Sequence, residues 1–267
     1  MSDVPSPQIP SETVALASGA PMPLLGFGTW QIKGDDAVTA TAAALDAGYR
    51  HLDTATVYGN EAQVGRALGE SGVARDDVFV TTKCPPNRAG EERKVLEESL
   101  AALGADHLDL WLIHWDVQDP DARLAMWRAL IGARDDGLVR DIGVSNYSVE
   151  MIDALVTDTG VTPSVNQIEW SPYIFDAALL EEHRARGIVL EGYSALRNGT
   201  LTDPTITGIA ERLGRTPAQV IVRWHVQHGV VVIPKSTKPE RIRSNAAVAG
   251  FELSADDMTA IDALGRR

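Results

Sequence analysis

Short apolar runs alternate with amphipathic stretches along almost the whole chain. The runs are five to seven residues long, which is typical of strands buried on both faces of a parallel sheet. Strands are predicted at residues 24–30, 51–55, 78–83, 108–114, 141–145, 164–169, 188–194 and 230–234. Helices are predicted at residues 36–46, 60–71, 91–103, 121–136, 148–157, 176–186, 205–213, 217–227, 239–249 and 254–264.

Eight strands that are each followed by a helix predict a (β/α)₈ TIM barrel, an α/β fold that forms a single domain over residues 1–267. A short N-terminal β-hairpin at residues 13–20 is predicted from the turn Ser18-Gly19. The C-terminal helix begins with Ser254 as N-cap and Asp257 in the capping-box position. A doubly wound sheet is the rival, but residues 26–31 supply only two of the three glycines that its dinucleotide turn requires.

Composition narrows the kind of partner that the chain can have. The net charge of −13 argues against nucleic acid and anionic membrane surfaces. A single cysteine, Cys84, excludes an intramolecular disulfide. The first residues carry neither a basic region nor an apolar run, so no secretory signal is expected. We therefore expect a cytoplasmic protein that acts on small molecules, and for the reductase function favoured below we expect a monomer.

Polar side chains stand at the ends of several predicted strands. Asp53, Lys83, His114 and Lys235 close the second, third, fourth and eighth strands, and Tyr58 follows the second. Catalytic groups of TIM barrels lie at the carboxyl ends of the strands, so these side chains are expected on one face.

Four of these residues form a candidate proton-donating group. Tyr58 holds a proton at neutral pH, Lys83 would lower the pKa of its phenol, and Asp53 would keep Lys83 charged. His114 would orient a carbonyl oxygen. Each residue alone is more often structural, as a loop anchor, a buried ion pair or a core histidine. Together the four predict protonation of a carbonyl that accepts a hydride.

At these motifs the sequence resembles the aldo-keto reductase family, from about Val14 to Leu264. The resemblance is strongest to its bacterial diketogluconate reductase branch. The motifs are Gly48-Tyr-Arg-His-Leu-Asp-Thr-Ala55, Tyr58-Gly-Asn-Glu61, Thr82-Lys83, Leu112-Ile-His114-Trp115, Gly143-Val-Ser-Asn146, Asn166-Gln-Ile-Glu169 and Ile233-Pro-Lys-Ser-Thr237. The resemblance implies NADPH-dependent reduction of aldehydes and ketones. It makes Tyr58 the general acid, supported by Lys83 and Asp53, with His114 orienting the carbonyl.

The nicotinamide end of the cofactor is expected at the fifth, sixth and seventh strands. Ser145, Asn146 and Gln167 offer donors and acceptors that suit a carboxamide, and the resemblance assigns them to it. The resemblance also implies that Tyr193 stacks on the nicotinamide ring, where a core aromatic is the alternative. The other residues implied near the ribose and pyrophosphate are Gly28, Thr29, Trp30, Ser194, Leu196 and Asn198.

A phosphate site is predicted after the eighth strand. Lys235, Ser236, Thr237 and Arg241 gather cations and hydroxyls beside a helix start. The resemblance assigns them to the 2′-phosphate of NADPH and places Asn245 against the adenine. A solvated basic helix start is the alternative.

The substrate pocket is expected to be apolar and open. Trp30, Trp115 and Trp170 follow strand ends and could wall it, whereas packing between barrel and helices is the alternative. That alternative is expected for Trp111, Trp127 and Trp224. The loop after His114 is short, which predicts broad substrate selection.

Three functions compete. A reductase of small aldehydes, ketones, α-dicarbonyls or keto-sugars is favoured by the set of four polar residues. An NADPH-binding sensor or interaction protein with little turnover is the second. A metal-dependent barrel hydrolase or isomerase is the third, but the strand ends supply no predicted cluster of ligands, and His225 and His228 have no third ligand in view.

Overall fold

A computed structural model describes residues 9–197 and 199–266. The strands are β1 (Thr13–Ala15), β2 (Pro21–Pro23), β3 (Phe27–Gly28), β4 (His51–Asp53), β5 (Phe79–Cys84), β6 (Leu108–Ile113), β7 (Val139–Ser145), β8 (Val165–Glu169), β9 (Val189–Tyr193) and β10 (Val231–Val232). The helices are α1 (Asp35–Asp46), α2 (Glu61–Glu70), α3 (Glu92–Leu103), α4 (Pro120–Asp135), α5 (Val149–Thr159), α6 (Ala177–Ala185), α7 (Pro204–Leu213), α8 (Pro217–Gln227), α9 (Pro239–Ala246) and α10 (Ala255–Asp262).

Strands β3 to β10 form one parallel eight-stranded sheet in chain order. The sheet closes on itself, because Leu25 bridges Val232 and the Gly26 amide donates to the Val232 carbonyl at 2.9 Å. The Val232 amide returns a hydrogen bond to the Leu24 carbonyl at 2.8 Å. Helices follow the strands as crossover connections, so the predicted (β/α)₈ barrel is confirmed.

The two strands that meet where the barrel closes, β3 and β10, are shorter than predicted; we call their junction the seam. Both β3 and β10 have two residues, where the apolar runs predicted seven and five. Pro234 has no amide hydrogen and cannot continue the ladder. The chains nevertheless approach closely there, since a Cβ on Gly28 would lie 2.7 Å from the Ile233 carbonyl oxygen. Only glycine fits at that position of the seam.

Alternation of side chains along each strand divides the apolar core into two layers. In β6, Trp111 and Ile113 pack outward among the helices, whereas Leu110 and Leu112 point into the barrel. Trp127 and Trp224, on α4 and α8, are fully buried in the outer layer. The packing role expected for Trp111, Trp127 and Trp224 is therefore confirmed.

The N-terminal hairpin closes the amino-terminal end of the barrel. β1 and β2 pair antiparallel around a turn in which Gly19 has a φ of 85°, as predicted from Ser18-Gly19. Met22 packs with the inward-facing strand residues, and the Ser18 hydroxyl donates to Asp141. The hairpin thus covers the amino-terminal end of the barrel, opposite the carboxyl ends of the strands.

Capping sets the helix bounds near the site. α9 stops at Ala246, three residues before the predicted end, and Gln219 Nε2 donates to the carbonyls of Ser244 and Ala247 at 3.0 and 3.1 Å. Those bonds satisfy carbonyls that a longer helix would have used. α10 begins at the predicted capping box of Ser254 and Asp257.

Candidate active site

The carboxyl ends of the strands surround a cleft of about 690 Å³. Asp53 at the end of β4, Tyr58 after it and His114 after β6 all line this cleft. Lys83 on β5 lies behind them and is fully buried. The structure thus brings together the four side chains expected to transfer a proton.

Lys83 is held by three hydrogen bonds. Its Nζ lies 2.7 Å from each carboxylate oxygen of Asp53 and 2.8 Å from the Thr54 carbonyl oxygen. All three donors of the ammonium are therefore used. Burial by itself lowers the pKa of Lys83, but the Asp53 carboxylate and the nearby Tyr58 outweigh burial, and the pKa is raised. Lys83 is charged at neutral pH.

Tyr58 lies beside this charge. The Lys83 Nζ is 5.2 Å from the centroid of the Tyr58 ring. Burial raises the pKa of Tyr58, and although the Lys83 ammonium lowers it, as expected, the net shift is upward. The sequence predicted that Lys83 would lower the pKa of the Tyr58 phenol, and the Lys83 charge does act in that direction. Burial, which the sequence did not reveal, has the larger effect and raises the pKa. Tyr58 holds its proton throughout the neutral range.

His114 is a neutral imidazole at the wall of the cleft. Burial, followed by the charge of Lys83, lowers the pKa of His114 to about 2. Its ring packs edge to face on the Tyr58 ring, with 5.6 Å between the ring centroids, and stacks on the Trp115 ring, with 3.7 Å between the centroids. These contacts fix the imidazole close to the Tyr58 phenol, where a neutral ring can donate one hydrogen bond.

A chain of side-chain hydrogen bonds lines the cleft beyond the four residues. The Ser145 hydroxyl donates to the Gln167 carbonyl at 2.8 Å, and Asn146 Nδ2 donates to the Ser145 hydroxyl at 3.0 Å. The Tyr193 hydroxyl donates to Asn146 Oδ1 at 2.9 Å. Asn146 has a φ of 62°, a backbone conformation that asparagine tolerates better than most residues. This backbone turns the Asn146 amide toward the cleft.

The far end of the cleft is basic and exposed. Lys235, Ser236, Arg241 and Asn245 line it, together with Ser244. Lys235 and Arg241 are exposed, and neither forms an ion pair with any residue in the described ranges. This end therefore offers two cations that pair with no carboxylate of the described residues.

Several predicted site residues do not reach the cleft. Trp170 is 1% exposed and packs edge to face on Phe175, so its expected place in the substrate pocket is corrected. Thr29 is buried, and its hydroxyl donates to the Asp53 carbonyl at 3.0 Å. Thr237 is exposed but does not line the cleft. The expectation for Asn198 falls outside the described residues.

The remaining predicted residues border the cleft. Gly28, Trp30, Trp115, Ser194 and Leu196 line it. Two large side chains among them leave much of their surface to solvent, since Trp30 is 41% and Trp115 46% exposed. An apolar entrance beside the proton donor follows from these two residues.

Sequence reasoning missed two charged residues. Arg197 lines the cleft, with its guanidinium 4.5 Å from the centroid of the Trp30 ring. Glu191 on β9 is fully buried, and Gln167 Nε2 donates to its Oε2 at 2.8 Å. Burial and the charge of Asp53 raise the pKa of Glu191 to about 8. A glutamate within the otherwise apolar strand β9 is the sequence feature that could have identified Glu191 as a site residue.

The described residues were also compared with the requirements of a metal site and of a membrane span. Within residues 9–197 and 199–266, no group of three or more histidine, cysteine or carboxylate side chains is placed to hold a metal ion. No helix in the same part of the chain is long and apolar enough to cross a membrane.

A parallel barrel with a tyrosine, a lysine, an aspartate and a histidine around one cleft defines a class of carbonyl oxidoreductase. The model of the aldo/keto reductase family matches residues 24–266, and the chain belongs to that family. It is therefore an oxidoreductase, and its family uses nicotinamide cofactors.

Relatives agree with this assignment. An aldo-keto reductase of Mycolicibacterium smegmatis is 46% identical over 95% of this chain and 94% of its own. The 2,5-diketo-D-gluconic acid reductase B of a Corynebacterium species is 46% identical over 97% and 95%. The morphine 6-dehydrogenase of Pseudomonas putida is 43% identical over 95% and 91%. A crystal structure of an aldo/keto reductase from Brucella melitensis superposes with a TM-score of 0.93 at 43% identity, covering 96% of this chain and 98% of that one.

Proposed function

We propose that this protein reduces small aldehydes and ketones, including α-dicarbonyls and keto-sugars, with NADPH as the hydride donor and Tyr58 as the proton donor. The observation that carries the proposal is the buried Lys83–Asp53 pair, with the Lys83 Nζ 2.7 Å from both carboxylate oxygens, set directly behind the Tyr58 phenol.

The donors along the cleft fit a pyridine dinucleotide. Its inner end presents the side-chain amides of Asn146 and Gln167, which match a carboxamide. Its outer end presents Lys235 and Arg241, which match a phosphate. The volume of about 690 Å³ lies within the range of small-molecule clefts. Tyr193 stands between the two ends, where its ring can stack on a planar heterocycle.

The outer end favours NADPH over NADH. Ser236 and Arg241 lie beside the first turn of α9, and Lys235 precedes them. Two exposed cations attract a 2′-phosphate much more strongly than the 2′-hydroxyl that NADH carries in its place. Asn245, on the next turn of the helix, is placed to meet the adenine.

Bound NADPH supplies the hydride. Tyr58 holds a proton at its phenol oxygen and moves it to the carbonyl oxygen of the substrate, which becomes strongly basic as it is reduced. Lys83, kept charged by Asp53, stabilises the phenolate that remains. The neutral His114 orients the carbonyl oxygen by donating a hydrogen bond. In the reverse direction the same groups accept the proton of an alcohol.

Selection among substrates is proposed to be broad. Trp30 and Trp115 offer flat apolar surface at the entrance, and only a short loop separates Trp115 from α4. Two relatives bear the names of very different compounds, a diketo-sugar acid and morphine. We therefore keep the substrate at the level of small carbonyl compounds.

A steady-state assay tests the proposal. Purified protein is expected to oxidise NADPH when methylglyoxal or a nitrobenzaldehyde is added. Tight NADPH binding with no oxidation by any member of a carbonyl panel would instead support the sensor alternative. Absence of both binding and turnover would remove the proposal altogether.

A further inference from the structure

A second carboxyl group lies inside the barrel behind the proton donor. Glu191, in the middle of β9, is fully buried. Its Oε2 accepts a hydrogen bond from Gln167 Nε2 at 2.8 Å. The same Nε2 donates to Asp53 Oδ2 at 2.9 Å. Gln167 thus bridges Glu191 and the aspartate that holds Lys83.

This bridge fixes which way the Gln167 amide faces. A side-chain amide nitrogen carries two hydrogens, and both are used by the two carboxyl groups. The amide oxygen of Gln167 has no hydrogen-bond partner among the residues that the structure describes. Gln167 lines the cleft, so its free acceptor is the atom available to a ligand there.

We propose that Glu191 is a positioning residue that, with Asp53, holds the amide nitrogen of Gln167 inward and its oxygen toward the cleft. The ligand group selected by that oxygen is a hydrogen-bond donor, which the carboxamide nitrogen of a nicotinamide ring provides. This inference rests on the proposed function, because it specifies how the cleft recognises the ring of NADPH.

The charges around Glu191 are compatible with this role. His51 and Asp53 face it from β4, with His51 Nε2 3.7 Å from Glu191 Oε1. From β5, the Lys83 charge acts on Glu191 and Thr81 Oγ1 lies 3.2 Å from His51 Nε2, and Gln167 contacts Glu191 from β8. Burial and Asp53 raise the pKa of Glu191 to about 8, whereas burial lowers that of His51 to about 4. Both shifts favour the neutral form, and a carboxyl oxygen of Glu191 accepts from Gln167 in either protonation state.

Asp53 alone does not fix the amide. Its carboxylate already binds Lys83 Nζ through both oxygens, at 2.7 Å each. Without Glu191, one hydrogen of the Gln167 amide would be left buried and unpaired, which favours rotation of the amide. Glu191 therefore couples the orientation of Gln167 to the barrel wall opposite Asp53.

Three substitutions at Glu191 separate this role from a structural one. Glu191→Gln keeps an acceptor oxygen at nearly the same place, and Glu191→Met keeps the length but removes the acceptor. Glu191→Leu serves as a second acceptor-free variant. Affinity is measured for NADPH and for adenosine 2′,5′-bisphosphate, which has the 2′-phosphate and adenine but no nicotinamide.

The expected result is selective. Glu191→Met and Glu191→Leu should weaken NADPH binding about tenfold, the effect of losing one well-placed hydrogen bond, and leave bisphosphate binding unchanged. Glu191→Gln should bind both ligands within about twofold of the wild type. In a Gln167→Met background, Glu191→Met should have no further effect on NADPH affinity, because the group that it positions is gone.

Three results would overturn the inference. Unchanged NADPH affinity in the acceptor-free variants would show that Glu191 does not position Gln167. Equal loss for both ligands, or failure of both acceptor-free variants to fold, would assign Glu191 a structural role. The proposed function is judged separately, on the wild type: if it turns over carbonyls with NADPH, only the inference fails, and if it binds no NADPH, both fail.

Discussion

The two ends of the cleft are built on opposite electrostatic principles. At the inner end, Lys83 and Asp53 are 0% and 2% exposed, and every donor of the ammonium is used within the protein. At the outer end, Lys235 and Arg241 are exposed and lack a carboxylate partner within the described ranges. The inner charges are organised before any ligand binds, and the outer charges are left for a ligand to neutralise.

The different burial of the charges at the two ends indicates a different role for each end of the cleft. A buried charge pair costs desolvation and is retained where a fixed field is needed, as beside a tyrosine that must become a phenolate. Exposed cations cost little to maintain and attract an anion from solution. Substitutions at the inner end should therefore reduce both stability and chemistry, and those at the outer end only the affinity for the cofactor.

The largest expected effect is that of Lys83→Met. It leaves the Asp53 carboxylate buried without its cation, which should lower the free energy of unfolding by about 3–5 kcal/mol and abolish measurable turnover. Denaturant unfolding and NADPH oxidation measure the two effects. Lys94→Met, at a 67% exposed side chain with only long ion pairs, is the matched control and should change neither.

A double variant sharpens this point. Lys83→Met with Asp53→Asn removes both charges and should regain part of the lost stability without regaining turnover. If turnover returned with stability, the pair would have only a structural role.

Arg241→Ala should affect the outer end alone. Loss of a charge-assisted hydrogen bond to the 2′-phosphate is expected to raise the KM for NADPH roughly tenfold or more, with kcat and the KM for NADH nearly unchanged. Arg243→Ala, on the same helix but outside the cleft, is the control. An equal increase in KM for both cofactors would contradict the assignment of the phosphate site.

A smaller effect is expected from pH. Burial lowers the pKa of His114 to about 2 and those of His51 and His225 to about 4, all below the unfolded value. The unfolded chain therefore binds more protons in acid, so the stability from these groups is complete above about pH 6.5 and is lost as the pH falls through the window below it.

The size of this effect can be measured by thermal unfolding across that window. Each buried histidine should contribute about 1 kcal/mol of acid sensitivity one pH unit below its unfolded pKa. His225→Gln, which removes one of these buried rings, should reduce the sensitivity. Glu191, whose pKa is raised to about 8, has the opposite pH slope in the same window, so the contradicting result is a slope in His225→Gln equal to that of the wild type.

Much of the fold could be predicted because local signals agree with it. Apolar runs and helix caps such as Ser254 locate the elements, and polar residues at strand ends locate Asp53 and Lys83 on one face. The seam was overestimated, since Pro234 and the close approach at Gly28 depend on how the last strand meets the first.

The missed and misplaced residues depend on tertiary contacts. Trp170 follows a strand end like Trp30 and Trp115, but it turns away from the cleft to pack on Phe175. Arg197 lines the cleft with its guanidinium over the ring of Trp30, which is far from it in the sequence. The upward shift in the pKa of Tyr58 likewise reflects burial that no local pattern reveals.

The central claim is that Tyr58, poised beside Lys83, donates the proton. Its most direct test is Tyr58→Phe, with kcat for carbonyl reduction and the Kd for NADPH measured on the same preparation. The variant should lose about 10²-fold to 10⁴-fold or more in kcat, while its Kd for NADPH stays within about twofold of the wild type. Turnover near the wild-type rate would contradict the account.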